Sequence, residues 1–206
     1  IADEKTDLDF KIKRFEEMRN FLKKSYDANN VEIHSSDENE KIVHDVIFLA
    51  KNNNIKKIIL EDLVDGVASD LKKRIHIRSV KDLLVYSYRV AGTVGLMMSK
   101  ILKVNNREAL KGAIDLGIAM QLTNIARDVC EDKGRNREYV KHNLSSIKEI
   151  INESQIFYDK SFLSISSIPL KSRFSVIVAR RVYRKIGDYI IKQKNIENYN
   201  LSLIHI

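Results

Sequence analysis

Between Gly112 and Ala126 this chain carries one charged residue, Asp115, although 31% of its residues are charged. The uncharged run from Leu116 to Ala126 falls well short of the roughly 20 residues that a membrane-spanning helix needs. The stretch therefore predicts a helix from 106 to about 131 whose first turns are buried on nearly every side. On a wheel of about 100° per residue, Ile118, Leu122, Ile125 and Val129 share one face, and Ala119, Thr123, Ala126 and Cys130 form a second, small-residue face. Gln121, Asn124, Asp128 and Asp132 make a polar stripe opposite the small residues, on a helix otherwise dressed for the interior.

One proline and seven glycines in 206 residues leave few helix breakers, so the fold class is all-α, with a single domain over 1–199. Apolar residues at helical spacing, namely Leu8, Ile12, Phe15, Met18 and Leu22, predict a first helix from Asp7 to about Asp27. After a loop whose Ser36 and Asp37 are candidate N-caps, Glu38–Lys51 turns Ile42, Val46 and Leu49 to one face. Further helices are expected over Lys56–Lys73, Val80–Leu102, Ser145–Leu163 and Leu170–Lys194, about seven in all, with Pro169 in the first turn of the last. Ala91, Gly95 and Ser99 recur at every fourth position, a spacing that lets a second helix approach closely.

The formal net charge of +8 is compatible with an anionic partner and equally with a compositional bias toward Lys, Asn and Ile. No nucleic-acid-binding module is recognisable, and the five histidines show no zinc-like spacing. A lone cysteine, Cys130, fits a reducing compartment, cytoplasmic or organellar. The chain opens on Ile1 with no signal-peptide pattern and reads as one whose true start is missing; the tail 200–206, "LSLIHI" at its end, is assigned no function.

Two carboxylates one helical turn apart repel unless a cation or a basic side chain lies between them. Mg²⁺ suits the pair Asp128 and Asp132, because it takes one or two protein carboxylates and completes its shell with water and phosphate oxygens. Arg127, Arg135 and Arg137 could contact the same phosphate oxygens, and Gln121 and Asn124 could add neutral hydrogen bonds. Asp3 and Asp7 repeat the spacing at the start of the chain. Taken by spacing alone, each pair can equally be a solvated helix end.

The longer strings decide between these readings. "YSYRVAGTVGLMM" at 86–98 and "AIDLGIAMQLTNIARDVCEDKGRNREYV" at 113–140, with "LVDGVASDL" at 63–71, closely resemble the head-to-head prenyl synthases, the family of phytoene, squalene and dehydrosqualene synthases. The resemblance runs to about Tyr199. It implies the isoprenoid synthase helical fold around a central cavity, with two Asp-rich motifs facing each other across its mouth. The second is Asp128 to Asp132, preceded by Gln121, Asn124 and Arg127. The first is Ala2, Asp3, Glu4 and Asp7, with Glu where the family usually has a second Asp, a replacement shared with plant-type phytoene synthases. The family's segment upstream of that motif is missing here, which implies that residues 1–206 alone are impaired.

By the same resemblance, Tyr86 assists diphosphate departure or proton handling, and Arg137 and Tyr139 belong to the basic segment after the second motif. Val140-Lys141 replaces the usual Leu-Pro that follows, and Tyr183 reads as structural. The metal ligands implied are Asp3, Asp7, Asp128 and Asp132, holding Mg²⁺ or Mn²⁺. The activity implied is the joining of two geranylgeranyl diphosphates through a cyclopropylcarbinyl diphosphate to phytoene, in an apolar cavity to which Met97, Met98, Ile118 and Leu122 are suited. Squalene or dehydrosqualene synthesis from farnesyl diphosphate is the nearest alternative, with NADPH expected only for squalene. A non-catalytic assembly factor is the alternative of another class, opposed by the retained Asp motifs. A lipophilic product and a basic chain make peripheral membrane contact a further expectation.

Overall fold

The computed structural model describes residues 7–28 and 38–195. Asp3 and the expected caps Ser36 and Asp37 lie outside the described residues. Two compact units divide at Lys72 and Lys73.

The first unit holds α1 (Leu8–Tyr26), α2 (Glu38–Asn52) and α3 (Lys57–Ser69). Leu22, Val43, Ile47, Ala50, Ile59 and Leu60 are buried. Side chains tie the unit together: the Tyr26 hydroxyl donates to the Ile55 carbonyl at 2.5 Å, and Arg19 of α1 pairs with Asp65 of α3 at 2.5 Å. The inward face of α2 differs from expectation, since Ile42, Val46 and Leu49 are exposed while Val43, Ile47 and Ala50 face in. The two sets lie one residue apart, about 100° around the helix, and both are apolar at helical spacing. Periodicity locates an amphipathic helix but cannot choose between adjoining apolar faces.

The second unit runs β1 (Ile75–His76), α4 (Val80–Ser87), a π turn (Tyr88–Gly92), α5 (Thr93–Ile101), α6 (Arg107–Arg127), α7 (Val129–Gly134), β2 (Arg137–Glu138), α8 (Leu144–Phe162), a 3₁₀ turn (Leu163–Ser167) and α9 (Leu170–Lys192). Ser79, Asn106 and Asn143 cap α4, α6 and α8 by accepting from Asp82 N, from Glu108 N and Ala109 N, and from Ser146 N; such caps satisfy orphan donors of the first turn. Pro169 is the N-cap residue of α9 and not a member of its first turn. Two of the expected rods are subdivided. The rod at 80–101 contains the π turn, whose Thr93 N–H donates to the Tyr88 carbonyl while the Thr93 hydroxyl donates to the Arg89 carbonyl at 2.7 Å. The rod at 107–134 bends at Asp128, yet Asp128 N still donates to Asn124 O and Asp132 N to Asp128 O, each at 2.8 Å.

β1 and β2 form a parallel pair that helical periodicity did not announce, with Ile75 opposite Arg137 and His76 opposite Glu138. Such short strands carry too few residues for an alternating pattern to register.

α6 is the axis of this unit. Ile118, Leu122, Ile125 and Val129 join Leu83, Ile147, Ile151, Ile186 and Ile190 in the main core. Its small-residue face meets α8, where the fully buried Thr123 hydroxyl donates to Ala119 O and lies 3.0 Å from the equally buried Tyr158 hydroxyl. Arg180 is buried beside them, donating through Nε and Nη2 to the Tyr158 carbonyl and lying over the Phe162 ring at 4.8 Å. On the α5 side two glycines set the spacing. A Cβ added at Gly95 would run into the Ala113 carbonyl, and one at Gly117 into the Ala91 carbonyl, which leaves the two backbones in contact.

Gly95→Val therefore destabilises the fold by about 1–3 kcal/mol or more, because backbone cannot move aside as a side chain can. Gly134→Ala, where an added Cβ meets nothing within 4 Å, is neutral or stabilising by up to about 1 kcal/mol. Denaturant unfolding of both variants, followed by circular dichroism, checks the contrast.

Candidate functional site

Beside α6 lies a cavity of about 380 Å³ walled by α5, α6, the 3₁₀ turn and α9. Its α6 wall consists of Ala109, Gly112, Ala113, Leu116, Gly117, Met120, Gln121 and Asn124, one continuous stripe at helical spacing. Asp128 is the next residue along that stripe and Asp132 follows a turn later. The polar stripe is thus the end of the cavity wall. Val90, Val94, Met98 and Leu102 form the facing wall. Met98 lines the cavity as expected. Met97 does not, and Ile118 and Leu122 point into the core, because the cavity face of α6 lies to one side of its largest aliphatic residues.

At the polar end, Asn124 Oδ1 is buried with no hydrogen-bond partner among the described residues. A buried acceptor without a donor costs about 1–3 kcal/mol, a cost that a donor or cation placed beside it would offset. Arg127 grips Asp128 through two hydrogen bonds, Nε to Oδ1 at 2.6 Å and Nη2 to Oδ2 at 2.7 Å. This fork holds the Arg127 proton above its usual range, and Tyr183 contributes to the same effect. Burial, and next the neighbouring Asp128 carboxylate, push Asp132 up to about 6 against the opposing pull of Arg137 and Arg135. Arg135 itself is paired with Glu131 at 2.6 Å.

Tyr86 and Tyr139 stand together, their rings stacked with centroids 4.9 Å apart and their hydroxyls at 3.2 Å. Tyr139 is buried in the main core and Tyr86 packs against it; neither lines the cavity. Arg137 lines a separate cleft beside β2. Asp7 is exposed at the head of α1, in the first unit. Among the described residues, no three His, Cys, Asp or Glu side chains gather where they could hold one ion. Two carboxylates and one amide oxygen are still an adequate protein share for Mg²⁺.

Tyr183 is the residue that sequence reasoning undervalued. It lines the cavity from α9 and lies close enough to Arg127 to influence it. Its signal was a match to a tyrosine in the family's last helix, read as structural because nothing local distinguishes it from packing.

Asp132 keeps its proton in the folded chain up to about pH 6, whereas the unperturbed carboxyl loses it near 3.8. A raised acid pKa favours the folded state at low pH, and that contribution is lost as pH rises across this window. With divalent ions chelated, Asp132→Asn is therefore more stable than the parent at pH 7 in urea unfolding, and the gain vanishes near pH 4. Equal stability at pH 7 would contradict a crowded, half-buried carboxylate.

No helix among the described residues is long and apolar enough to cross a membrane. The sequence model of the squalene/phytoene synthase family matches residues 1–140. The 15-cis-phytoene synthase of Paracoccus sp. (strain N81106 / MBIC 01143) is 34% identical over 149 residues, covering 64% of this chain and 49% of that protein. The corresponding protein of Pantoea ananas is 35% identical over 147 residues, covering 61% and 47%. The chain thus spans about half the length of the curated relatives it matches. A squalene synthase, HpnC, from Alicyclobacillus acidocaldarius superposes with a TM-score of 0.69 at 16% identity, over 91% of this chain and 75% of that one. A dehydrosqualene synthase solved with a ligand superposes with a TM-score of 0.70 at 23% identity, over 98% and 77%. These likenesses establish the isoprenoid synthase helical fold, and with the match over residues 1–140 the chain belongs to the squalene/phytoene synthase family.

Proposed function

We propose that this chain is part of a phytoene synthase, a Mg²⁺-dependent enzyme that joins two geranylgeranyl diphosphates head to head. The observation that carries the reading is the continuity of an apolar cavity with an acidic stripe along one helix. From Ala109 to Asn124 the cavity follows α6 for roughly 22 Å, at about 1.5 Å per residue. An extended geranylgeranyl chain is about 20 Å long and a farnesyl chain about 15 Å, from carbon–carbon bonds of about 1.5 Å. The length favours the longer substrate with its diphosphate at Asp128 and Asp132. The relatives from Paracoccus and Pantoea are phytoene synthases by name, which supports the same choice over squalene or dehydrosqualene synthesis.

The residues fit a divalent cation. Asn124 Oδ1 lacks a donor, and the Asp132 carboxylate, crowded by burial and by Asp128, is relieved by a cation. Asp128 and Asp132 would hold Mg²⁺ or Mn²⁺ on this side, and Asp3 and Asp7 would serve from the first motif. Bound there, the metal supplies Lewis acidity toward the oxygens of the departing diphosphate. Arg127 is the residue whose partner must change: as phosphate oxygens arrive, its fork can turn from Asp128 to them, since guanidinium matches both acceptors. Gln121 and Asn124 orient the diphosphate end of the substrate, and Arg137 takes the outward oxygens. The aliphatic wall of Val90, Val94, Met98 and Leu116 keeps water from an allylic cation. Tyr86, its hydroxyl held by that of Tyr139, handles the proton released as the product forms or steadies positive charge with its ring. NADPH has no role in this reaction, and the lipophilic product makes peripheral membrane contact part of the proposal.

Full-length protein incubated with geranylgeranyl diphosphate and Mg²⁺ yields phytoene without NADPH, as read by chromatography of the extracted hydrocarbon. Product from farnesyl diphosphate alone would reassign the substrate, and no product from either would refute the enzymatic reading in favour of a non-catalytic relative. Asp128→Ala and Asp132→Ala each lower turnover more than about a hundredfold with helicity intact, because metal stabilisation of the leaving group is worth several kcal/mol. Near-normal turnover in either variant would remove that residue from the metal site.

A further inference from the structure

A second hollow of about 460 Å³ lies beside the β1–β2 pair, lined in part by Arg74, Lys133, Asn136, Arg137, Glu138 and His142. None of Gln121, Asn124, Asp128 or Asp132 lines it. The fold brings these cations together from three places. Arg74 precedes β1, Lys133 closes α7, and Arg137 opens β2, where the strand register sets Ile75 opposite Arg137. Asn136 turns the chain between α7 and β2 in the left-handed region, at φ 58°, and its carbonyl accepts from Ile75 N at 3.1 Å. The one acid in the cleft is engaged elsewhere, since Glu138 Oε2 lies 2.9 Å from His76 Nδ1. Among the described residues, Arg74, Lys133 and Arg137 have no carboxylate at ion-pair distance. Three like charges around one concave space repel, and an anion that accepts from all three relieves the repulsion. Two guanidinium forks and an ammonium lining one hollow match the several oxygens of a phosphate group better than a single carboxylate does.

We propose that this cleft is an anion site for a phosphate or diphosphate group, outside the metal-dependent stripe. Its ligand is either a free phosphate-class anion or the phosphate of a lipid headgroup, which present the same oxygens. Arg137 links the two sites, because it also faces Asp132 electrostatically. An anion in the cleft competes with Asp132 for that guanidinium.

The test uses the 206-residue chain in excess EDTA, which removes any metal-mediated binding and makes the result independent of the proposed activity. Inorganic diphosphate is titrated by calorimetry, and flotation is measured with phosphatidylcholine vesicles with and without phosphatidic acid. Binding in either arm is expected, weakened tenfold or more in the double variant Arg74→Gln/Lys133→Gln. Both substituted residues in the double variant are exposed, and circular dichroism checks that it folds. Diphosphate binding without flotation assigns a free anion; flotation that requires phosphatidic acid and disappears in the double variant assigns a lipid headgroup. Absence of both, or binding that survives the double substitution, overturns the site.

Discussion

The backbone contact between α5 and α6 is the constraint on which the second unit rests. Because Gly95 and Gly117 carry no Cβ, the Ala113 and Ala91 carbonyls can lie against them. The backbones then touch at two points along their length, and the cavity opens beside that contact. The cavity follows from that geometry. A close approach fixes one edge of the hollow, while Ile118, Leu122 and Ile125 anchor the other side of α6 in the core. A helix buried on nearly every side has little freedom to rotate, so the direction of its remaining polar stripe is fixed as well.

That stripe concentrates unfavourable electrostatics. Asp132 is half-buried beside a like charge, Asn124 has an orphaned oxygen, and Asp128 is neutralised by an arginine from its own helix. The first two arrangements cost stability in the free chain, and both can be relieved by a cation. Strain of this kind concentrates where ligands bind. The Arg127–Asp128 fork supplies an internal counter-charge that lets the chain fold before the ligand arrives.

Much of this was legible in the residues themselves. The near absence of charge between Gly112 and Ala126 identified the axial helix, and the spacing of Gln121, Asn124, Asp128 and Asp132 identified its polar stripe. What escaped was whatever depends on which of two similar faces wins. The inward face of α2 was misjudged by one residue, and Ile118 and Leu122 proved to be core residues, not cavity wall. Tyr183 and the β1–β2 pair depend on partners far away in sequence, for which no local pattern exists. The interruptions at Tyr88–Gly92 and Asp128 subdivide the expected rods, and the π turn alters the internal phase of the first.

The π turn gives that last point a sharper meaning. A turn with hydrogen bonds from residue i to i+5 holds about one residue more than an α-helical turn, so helix phase slips there by about 100° relative to an uninterrupted rod. Tyr86 lies before the slip and Gly95 after it. Their relative azimuth, one toward Tyr139 and the other toward α6, is set by a single inserted position and not by the composition of either segment. The turn works as an angular offset between two otherwise rigid halves of one rod. Loss of one residue within 88–92 would leave every side chain near it chemically intact while re-aiming the aromatic pair against the cavity wall.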